Sequence, residues 1–479
     1  MAMKIVYSGS FKPSDRLSSV YRLFAFSVPE NVKYLEIRYD YDRSQGNVID
    51  LGLFDPRGGS FLSSEGFRGW SGSAKSHVII AETFATPGYI PGPIIPGVWK
   101  VILGLYKINS ERCDYTVEIL LHDSEISLTN MSIPLVKITT SENYPHICSK
   151  TGPAWFKGDL HSHTYHSDAQ CGVDELIAAA RRRGLDFLAI TDHNTVSHLL
   201  DIQRLKCQDF CVIPGEEITT YLGHANVWGI KQWFDFRCIS QQQIKQLCEE
   251  VHRKRLLFSI NHPKPGGPEW EFGYSFDFDC MEVWQSIWSR NNEHSLKVWN
   301  DLLLSGRRII AVGGSDSHPI KLGNGIFEWL GYPTTWVYAK DLTVESILEG
   351  IRAGHVTISA CPLGPFLALE IFKNNEKIAM QGDVVKTNKY TVKVIAKKAK
   401  GLILRLLSPQ GGLLQKKLNE ESSETVLDVD LREHGYVRAE LRVPSTFWQG
   451  ETSIESLPVG ALTNPVWSED FLKKCNRCN

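Results

Sequence analysis

The chain has 479 residues, 52 Lys+Arg against 54 Asp+Glu, a formal net charge of -2, 42% hydrophobic residues and 22% charged residues. These values exclude a mainly disordered or collagen-like chain, and they leave no global basic field for holding nucleic acid by counterion release. At roughly 150 residues per domain the length predicts about three domains.

Residues 1–150 read as strands. The segments at 33–41, 47–55, 97–106 and 114–122 alternate apolar and polar residues with period two, between Gly, Pro, Asp and Ser clusters. An N-terminal antiparallel β-sandwich is expected. The run YIPGPIIPG (89–97) carries three prolines and is unsuited to a sheet centre. Residues 151–361 alternate strand and helix. DELIAAARRRG (174–184), the stretch 240–254 and the stretch 293–306 read as helices, between apolar runs at 187–191, 210–215, 255–261, 280–285 and 308–314. Such an order implies a parallel sheet or a barrel. Residues 362–479 return to strand patterning at 366–372, 390–398, 401–408 and 436–443, a small C-terminal β domain followed by a loosely attached tail from about 451.

No apolar run reaches the ~18–20 residues needed to span a bilayer, and the N-terminus does not fit a signal peptide. A cytoplasmic protein with no membrane partner is expected. Eleven cysteines, an odd number, fit reduced thiols better than a disulfide framework. Cys475 and Cys478 form a C-x-x-C that reads as a frayed tail.

Of 15 histidines, 11 fall between 155 and 361. His161 and His163 follow one apolar strand, and His193, Glu217 and His262 each follow or end another. Asp316 and His318 follow IIAVGGS. All lie at carboxyl ends of strands, the edge where functional groups gather in parallel α/β architectures. H-x-H and D-S-H put both side chains on one side of an extended segment. Asp168 lies in a polar turn, and His224 follows Gly223. A lone histidine after a strand usually packs, but ionisable groups beside five apolar strands would each cost several kcal/mol if buried unpaired. Metal coordination by imidazole and carboxylate, the ligands of Zn, Mn and Fe, resolves that cost.

The strings GDLHSHTYHSD, ITDHN, PGEEIT, GHANVWG, NHP and GGSDSH, in that order, resemble the polymerase and histidinol phosphatase (PHP) superfamily of metal-dependent phosphoesterases. WFKGDLHSHT, with EVWQ and TWV, resembles the branch containing carbaryl-type carbamate ester hydrolases. The resemblance implies a distorted (β/α)7 barrel with two or three divalent metals (Zn, Mn or Fe) at its rim. It implies His161, His163, Glu217 and Asp316 on one metal, Glu217 bridging to a second held by His224 and His262, and Asp168, His193 and His318 on a third. Glu217 is preferred to Glu216 by the family's G-x-E spacing, and period two puts the pair on opposite faces. Asp168 departs from the family's common SDG, being followed by Ala169, Gln170 and Cys171.

The expected chemistry is hydrolysis by metal-activated water, of a small phosphoester or, alternatively, of a carboxylic or carbamate ester. Asp192 and His166 are the catalytic candidates beside the metals, Asp192 with Asn194 orienting His193 and His166 touching substrate or giving a proton. Lys157, Lys264, Arg290 and Lys321 are candidates for holding a phosphate, and Trp284, Trp288 and Trp299 for walling a pocket. A metal-binding scaffold without catalysis is a third reading, and nucleic-acid chemistry is unexpected without a basic stripe.

Overall fold

The computed structural model describes residues 3–124, 135–137, 151–205, 209–323, 325–444 and 454–476. The N-terminal strands form two antiparallel sheets. Met3–Phe11, Cys113–His122, Tyr34–Tyr41 and His77–Ala81 belong to one; Tyr21–Val28, Gly97–Lys107, Val48–Phe54 and Phe67–Gly72 make the other. Alternate residues such as Leu35, Ile37, Trp99, Val101 and Leu103 are fully buried in the cluster between the sheets.

The central region contributes β1 (Thr151–Asp159), β2 (Phe187–Ile190), β3 (Cys211–Thr220), β4 (Gly223–Trp228), β5 (Leu257–Ile260), β6 (Cys280–Gln285), β7 (Ile310–Gly314), β8 (Thr334–Asp341) and β9 (Val356–Ser359). Its longer helices are α1 (Val173–Arg182), α2 (Gln241–Arg253), α3 (Asn292–Leu304) and α4 (Val344–Ala353). The sheet order is β7-β6-β5-β4-β3-β2-β1-β8-β9. β1, β2 and β3 run parallel, as do β5, β6 and β7, and β4 lies antiparallel between the two sets. All six parallel strands therefore point the same way. The two ends of this curled run meet just past β1 and β7, where Ser162 bridges Ser317, the Asp316 N–H donates to the His161 carbonyl and the His163 N–H donates to the Ser317 carbonyl.

The architecture is mixed α/β and strand-rich. A sevenfold strand–helix barrel is not shown by this topology. β3 turns straight into β4 through Tyr221 and Leu222, and β8 and β9 are antiparallel additions beside β1. The reading of 151–361 as repeated strand–helix units placed helices between several of its strands. It missed that GHANVW, too short for a helix and rich in apolar residues, is itself a strand.

The stretch expected as a loose tail is a second correction. Val459–Thr463 pairs with β9 on one side and with Tyr436–Arg442 on the other, and all five of its residues are buried. A short apolar run between Pro458 and Pro465 is long enough to fill one sheet position. Cys478 lies outside the described residues. Seven described cysteines are free thiols, six of them buried, and among the described residues no helix is long and apolar enough to cross a membrane.

A buried ion cluster joins the C-terminal strands to α3. Glu440 accepts from Arg438 Nη1 at 2.9 Å, Arg442 Nε at 2.8 Å and Arg405 Nη1 at 3.0 Å, while Arg442 reaches Glu293 on α3. Burial alone would raise the Glu440 carboxyl, but the guanidiniums of Arg438, Arg442 and Arg405 draw it down to about 2. A carboxylate lowered on folding stabilises fully above its unfolded value of 4.5, and that contribution fades as pH falls through about 2. Glu440→Gln is expected to cost roughly 3 kcal/mol near neutral pH and to flatten the acid limb of stability. Urea titrations over a pH series check both.

Candidate metal centre

The parallel strands deliver their following residues to one rim. β1 leads to His161 and His163, β2 to His193, β5 to His262, and β7 to Asp316 and His318; Glu217 lies within β3. His224 arrives differently. It stands at the start of antiparallel β4, opposite Thr219, so its beginning shares the rim where the other strands end. Three backbones here occupy the left-handed region without being glycine: Asn194 (φ 53°), His262 (φ 30°) and Asp316 (φ 54°). Such conformations are held against a cost of about 1–3 kcal/mol each and recur at functional sites.

Three ligand groups emerge, each with its donor atoms within 4.8 Å of one another: His161, His163, Glu217 and Asp316; His193, Glu217 and His224; and His163, Asp168, His193 and His318. His161 Nε2 stands 3.3 Å from Glu217 Oε1 and 3.3 Å from Asp316 Oδ1. His163 Nε2 is 3.0 Å from Asp316 Oδ1, and His262 Nε2 is 3.4 Å from Glu217 Oε1. On the outer side, His318 Nε2 and His193 Nε2 approach Asp168 Oδ1 at 3.3 and 3.7 Å. All nine residues named from the sequence as metal ligands thus converge. Glu216 points to the opposite face of β3, where its Oε2 accepts from the Phe234 N–H.

The rings are fixed by their other nitrogens. His161 Nδ1 bonds Glu282 Oε1 at 3.0 Å, His318 Nδ1 bonds the Asp316 carbonyl at 3.0 Å, and His193 Nδ1 meets Thr219 Oγ1 at 2.6 Å. His193 Nδ1 also lies 2.7 Å from Glu217 Oε2, but that oxygen has no hydrogen-bond partner. One ring nitrogen thus faces both Thr219 and Glu217, and, against burial, the charges on Asp168 and Glu217 raise the His193 imidazole. The carboxylates are held likewise: Asn261 Nδ2 donates to Glu217 Oε1 at 3.0 Å, and Gln285 Nε2 to Asp316 Oδ2 at 2.9 Å.

The electrostatics are polarised. Burial is the largest influence on Glu217 and Asp316 and opposes their ionisation, yet the imidazoles around them, His161 foremost, hold both well below the usual carboxylate range. His318 is pushed up to about 10, its burial outweighed by Asp168 and Asp316. His163 is pushed down to about 4 by burial and by its neighbours His318 and His193. His161 Nε2 and Glu217 Oε2 are buried without hydrogen-bond partners. A lone pair and a carboxylate oxygen aimed into one enclosed space are what a divalent cation satisfies, so the donor set fits such a metal.

Two sequence candidates fall elsewhere. The Asp192 carboxylate is fully engaged by the loop after β1, accepting from the Thr164 N–H at 2.8 Å, Thr164 Oγ1 at 2.6 Å and Ser167 Oγ at 2.6 Å. It holds that loop and does not bond His193. His166 is buried with Nδ1 on Ser197 Oγ at 2.7 Å and Nε2 on Asp201 Oδ2 at 3.0 Å, so its ring is consumed in packing rather than offered to substrate. Of the four candidate phosphate cations, Lys264 and Arg290 line a cavity of about 510 Å³ that also exposes His193, His224, His262, Asp316 and His318. Lys157 instead donates to the Pro362 carbonyl, and exposed Lys321 pairs with Glu175. Trp284 and Trp299 are core residues.

Sequence reasoning missed Glu282, Asn261, Gln285 and Thr219, and also Asp159, whose carboxylate accepts from the His161 and Ser315 N–H groups at 3.2 and 2.9 Å. Glu282 carried a signal: an acid in the otherwise apolar strand CMEVWQ, buried on both faces. The same reasoning expected the N-terminal sandwich but named none of the sandwich residues that reach the site. Lys75 Nζ donates to the Ser167 carbonyl at 2.7 Å, next to Asp168, and so steadies the turn that lacks the family's glycine. Lys75→Met is expected to weaken about tenfold the binding of any metal that uses Asp168, by loss of a supporting contact. Metal titration of the folded variant measures it.

Residues 159–274 match the family model of the PHP domain. No curated protein matches. A solved two-domain protein from Bacteroides vulgatus, containing a predicted PHP-like metal-dependent phosphoesterase, is 15% identical, covering 64% of this chain and 95% of that chain, with a TM-score of 0.35. The matched segment holds His161, His163, Asp168, His193, Glu217, His224 and His262, and Asp316 and His318 join them from beyond it. The match of residues 159–274 to the PHP domain model supports a place in the PHP superfamily.

Proposed function

We propose that the protein is a metal-dependent phosphoesterase whose catalytic unit spans 151–361, flanked by the N-terminal sandwich (1–150) and the C-terminal β domain (362–479). The reading rests on one observation: His161 Nε2 and Glu217 Oε2 are buried without hydrogen-bond partners among nine converging side chains, eight in the three ligand groups and His262 beside Glu217. Two or three divalent ions, Zn, Mn or Fe, would be held by the three overlapping groups. When bound, they supply Lewis acidity and lower the pKa of a coordinated water.

The protein's own residues do the rest. Glu282, Asn261, Gln285 and Thr219 orient His161, Glu217, Asp316 and His193. The Lys264 ammonium spends two of its donors on the Gln285 carbonyl (3.0 Å) and Asn292 Oδ1 (2.8 Å). Its third is left for a ligand. Burial lowers Lys264 to about 8, which keeps it mostly charged at neutral pH. With Arg290 it gives the cavity beside the ligand set two cations, which favours an anionic phosphoester over a neutral carbamate or carboxylic ester.

A panel of phosphomonoesters, phosphodiesters and aryl esters with added Mn or Zn tests this. Phosphoesters are expected to turn over. Lys264→Met is expected to lower their kcat/KM about a hundredfold, as for a lost charge-assisted contact. Turnover of carboxylic or carbamate esters alone would select the other reading.

A further inference from the structure

A second cavity beside the ligand set, sharing His193 and His224 with the first, is built in part by the N-terminal sandwich. It has a volume of about 530 Å³ and is lined by Asp50, Trp70, Tyr106 and Tyr221, together with His193 and His224. Asp50 and Trp70 are buried, and both lie outside the segment that matches the PHP domain. The Tyr221 hydroxyl donates to Asp50 Oδ2 at 2.7 Å. Tyr221 is itself clamped between the rings of Tyr21 and Tyr106, with centroids at 5.4 and 5.2 Å. Residue 104 on the sandwich is glycine, and a Cβ there would collide with the Tyr221 hydroxyl. The carboxylate is therefore held in place on a rigid support.

What Asp50 lacks is a cation in contact with it. Among the described residues no Lys or Arg stands within ion-pair distance of it; Tyr221 donates to it, the more distant His193 imidazole adds a weaker favourable charge, and burial still pushes its carboxyl up to about 6. Burying a carboxylate on those terms costs several kcal/mol unless a cation or further donors complete it. Aromatic side chains beside such a carboxylate favour an organic cation over a hydrated metal ion.

We infer that Asp50, supported by Tyr221 and bordered by Trp70 and Tyr106, is a subsite for a protonated amine carried by the alcohol half of the substrate. The two cavities that meet at His193 and His224 then differ in charge, with Lys264 and Arg290 taking the anionic end of the substrate and Asp50 the cationic end. This assignment rests on the hydrolase reading above, but binding at Asp50 is measurable without turnover.

Calorimetric titration of the full chain with benzylamine and with benzyl alcohol at pH 7 tests it. Benzylamine is expected to bind about tenfold or more tightly than benzyl alcohol, and Asp50→Asn to erase that preference. Equal binding of the two ligands by the unmodified protein, or an unchanged preference in Asp50→Asn, overturns the inference. In turnover, the kcat/KM ratio of 2-aminoethyl phosphate to ethyl phosphate is expected to fall about tenfold in Asp50→Asn, and an unchanged ratio also overturns it. If the amine preference holds while no ester is hydrolysed with any metal, the hydrolase reading fails and the subsite stands.

Discussion

Replacing Glu217 with alanine is expected to strip divalent metal from the protein and to lower ester hydrolysis by at least about a thousandfold. No other carboxylate in the site has so many imidazoles around it. His161, His163, His193, His224 and His262 all place a ring nitrogen within 3.5 Å of its two oxygens. Glu217 belongs to two of the three ligand groups, so its loss dismantles both. It also removes the negative charge that keeps the surrounding histidines compatible with one another. Glu217→Gln preserves shape without charge and should behave almost as badly. Metal content by elemental analysis and single-substrate kinetics check the pair. Retained metal with retained turnover in either variant would mean that Glu217 is not the bridge.

Gly314→Ala is expected to be nearly as damaging, on the order of 3 kcal/mol in stability and about a hundredfold in turnover. This residue ends β7, and its missing side chain is where Glu282 and His161 pass. A Cβ would collide with Glu282 Oε1 and His161 Cβ, and would also press on the His161 backbone nitrogen at 3.3 Å. Neither neighbour can yield, because each fixes the other and both face the metal centre. The substitution should therefore shift the rotamer of His161, visible as a changed imidazole resonance or a loss of metal, before it unfolds the chain. Gly412→Ala, where nothing lies within 4 Å of the added carbon and φ, as at Gly314, is outside the left-handed region, controls for replacement of a glycine as such.

Most of the converging residues were legible in the sequence because they obey a local rule: His161, His163, His193, His262, Asp316 and His318 follow apolar strands, and parallel strands end together. Their supports obey no such rule. Asn261 and Gln285 are ordinary amides by sequence, and only the pairing of β4 with β5 and of β6 with β7 brings them to Glu217 and Asp316. His166 and Asp192 misled for the opposite reason. Their positions beside the converging residues suggested chemistry, whereas the chain uses them to pin the loop between His163 and Asp168. In the sheet, the period-two strands were readable, and the β3–β4 hairpin was not, because a strand that follows a two-residue turn has no helix to announce it. The wall contributed by Asp50, Trp70 and Tyr106 depends on how the sandwich sits against the rim, a long-range contact with no trace in local pattern.

The strand at Val459–Thr463 has a bearing on biosynthesis. Just past it, the Asn464 side chain accepts from the Ala311 N–H and donates to the Ala311 and Val356 carbonyls, tying β7 to β9. As the nascent polypeptide leaves the ribosome, the segment bearing Asp316 and His318 is exposed well before this clasp exists. Until then the outer edge of β9 is open to unwanted pairing. Translation must therefore run about 150 residues beyond Ala311 before β7 is locked, and a ribosome stalled in that interval holds a chain with every metal ligand but an unfinished sheet.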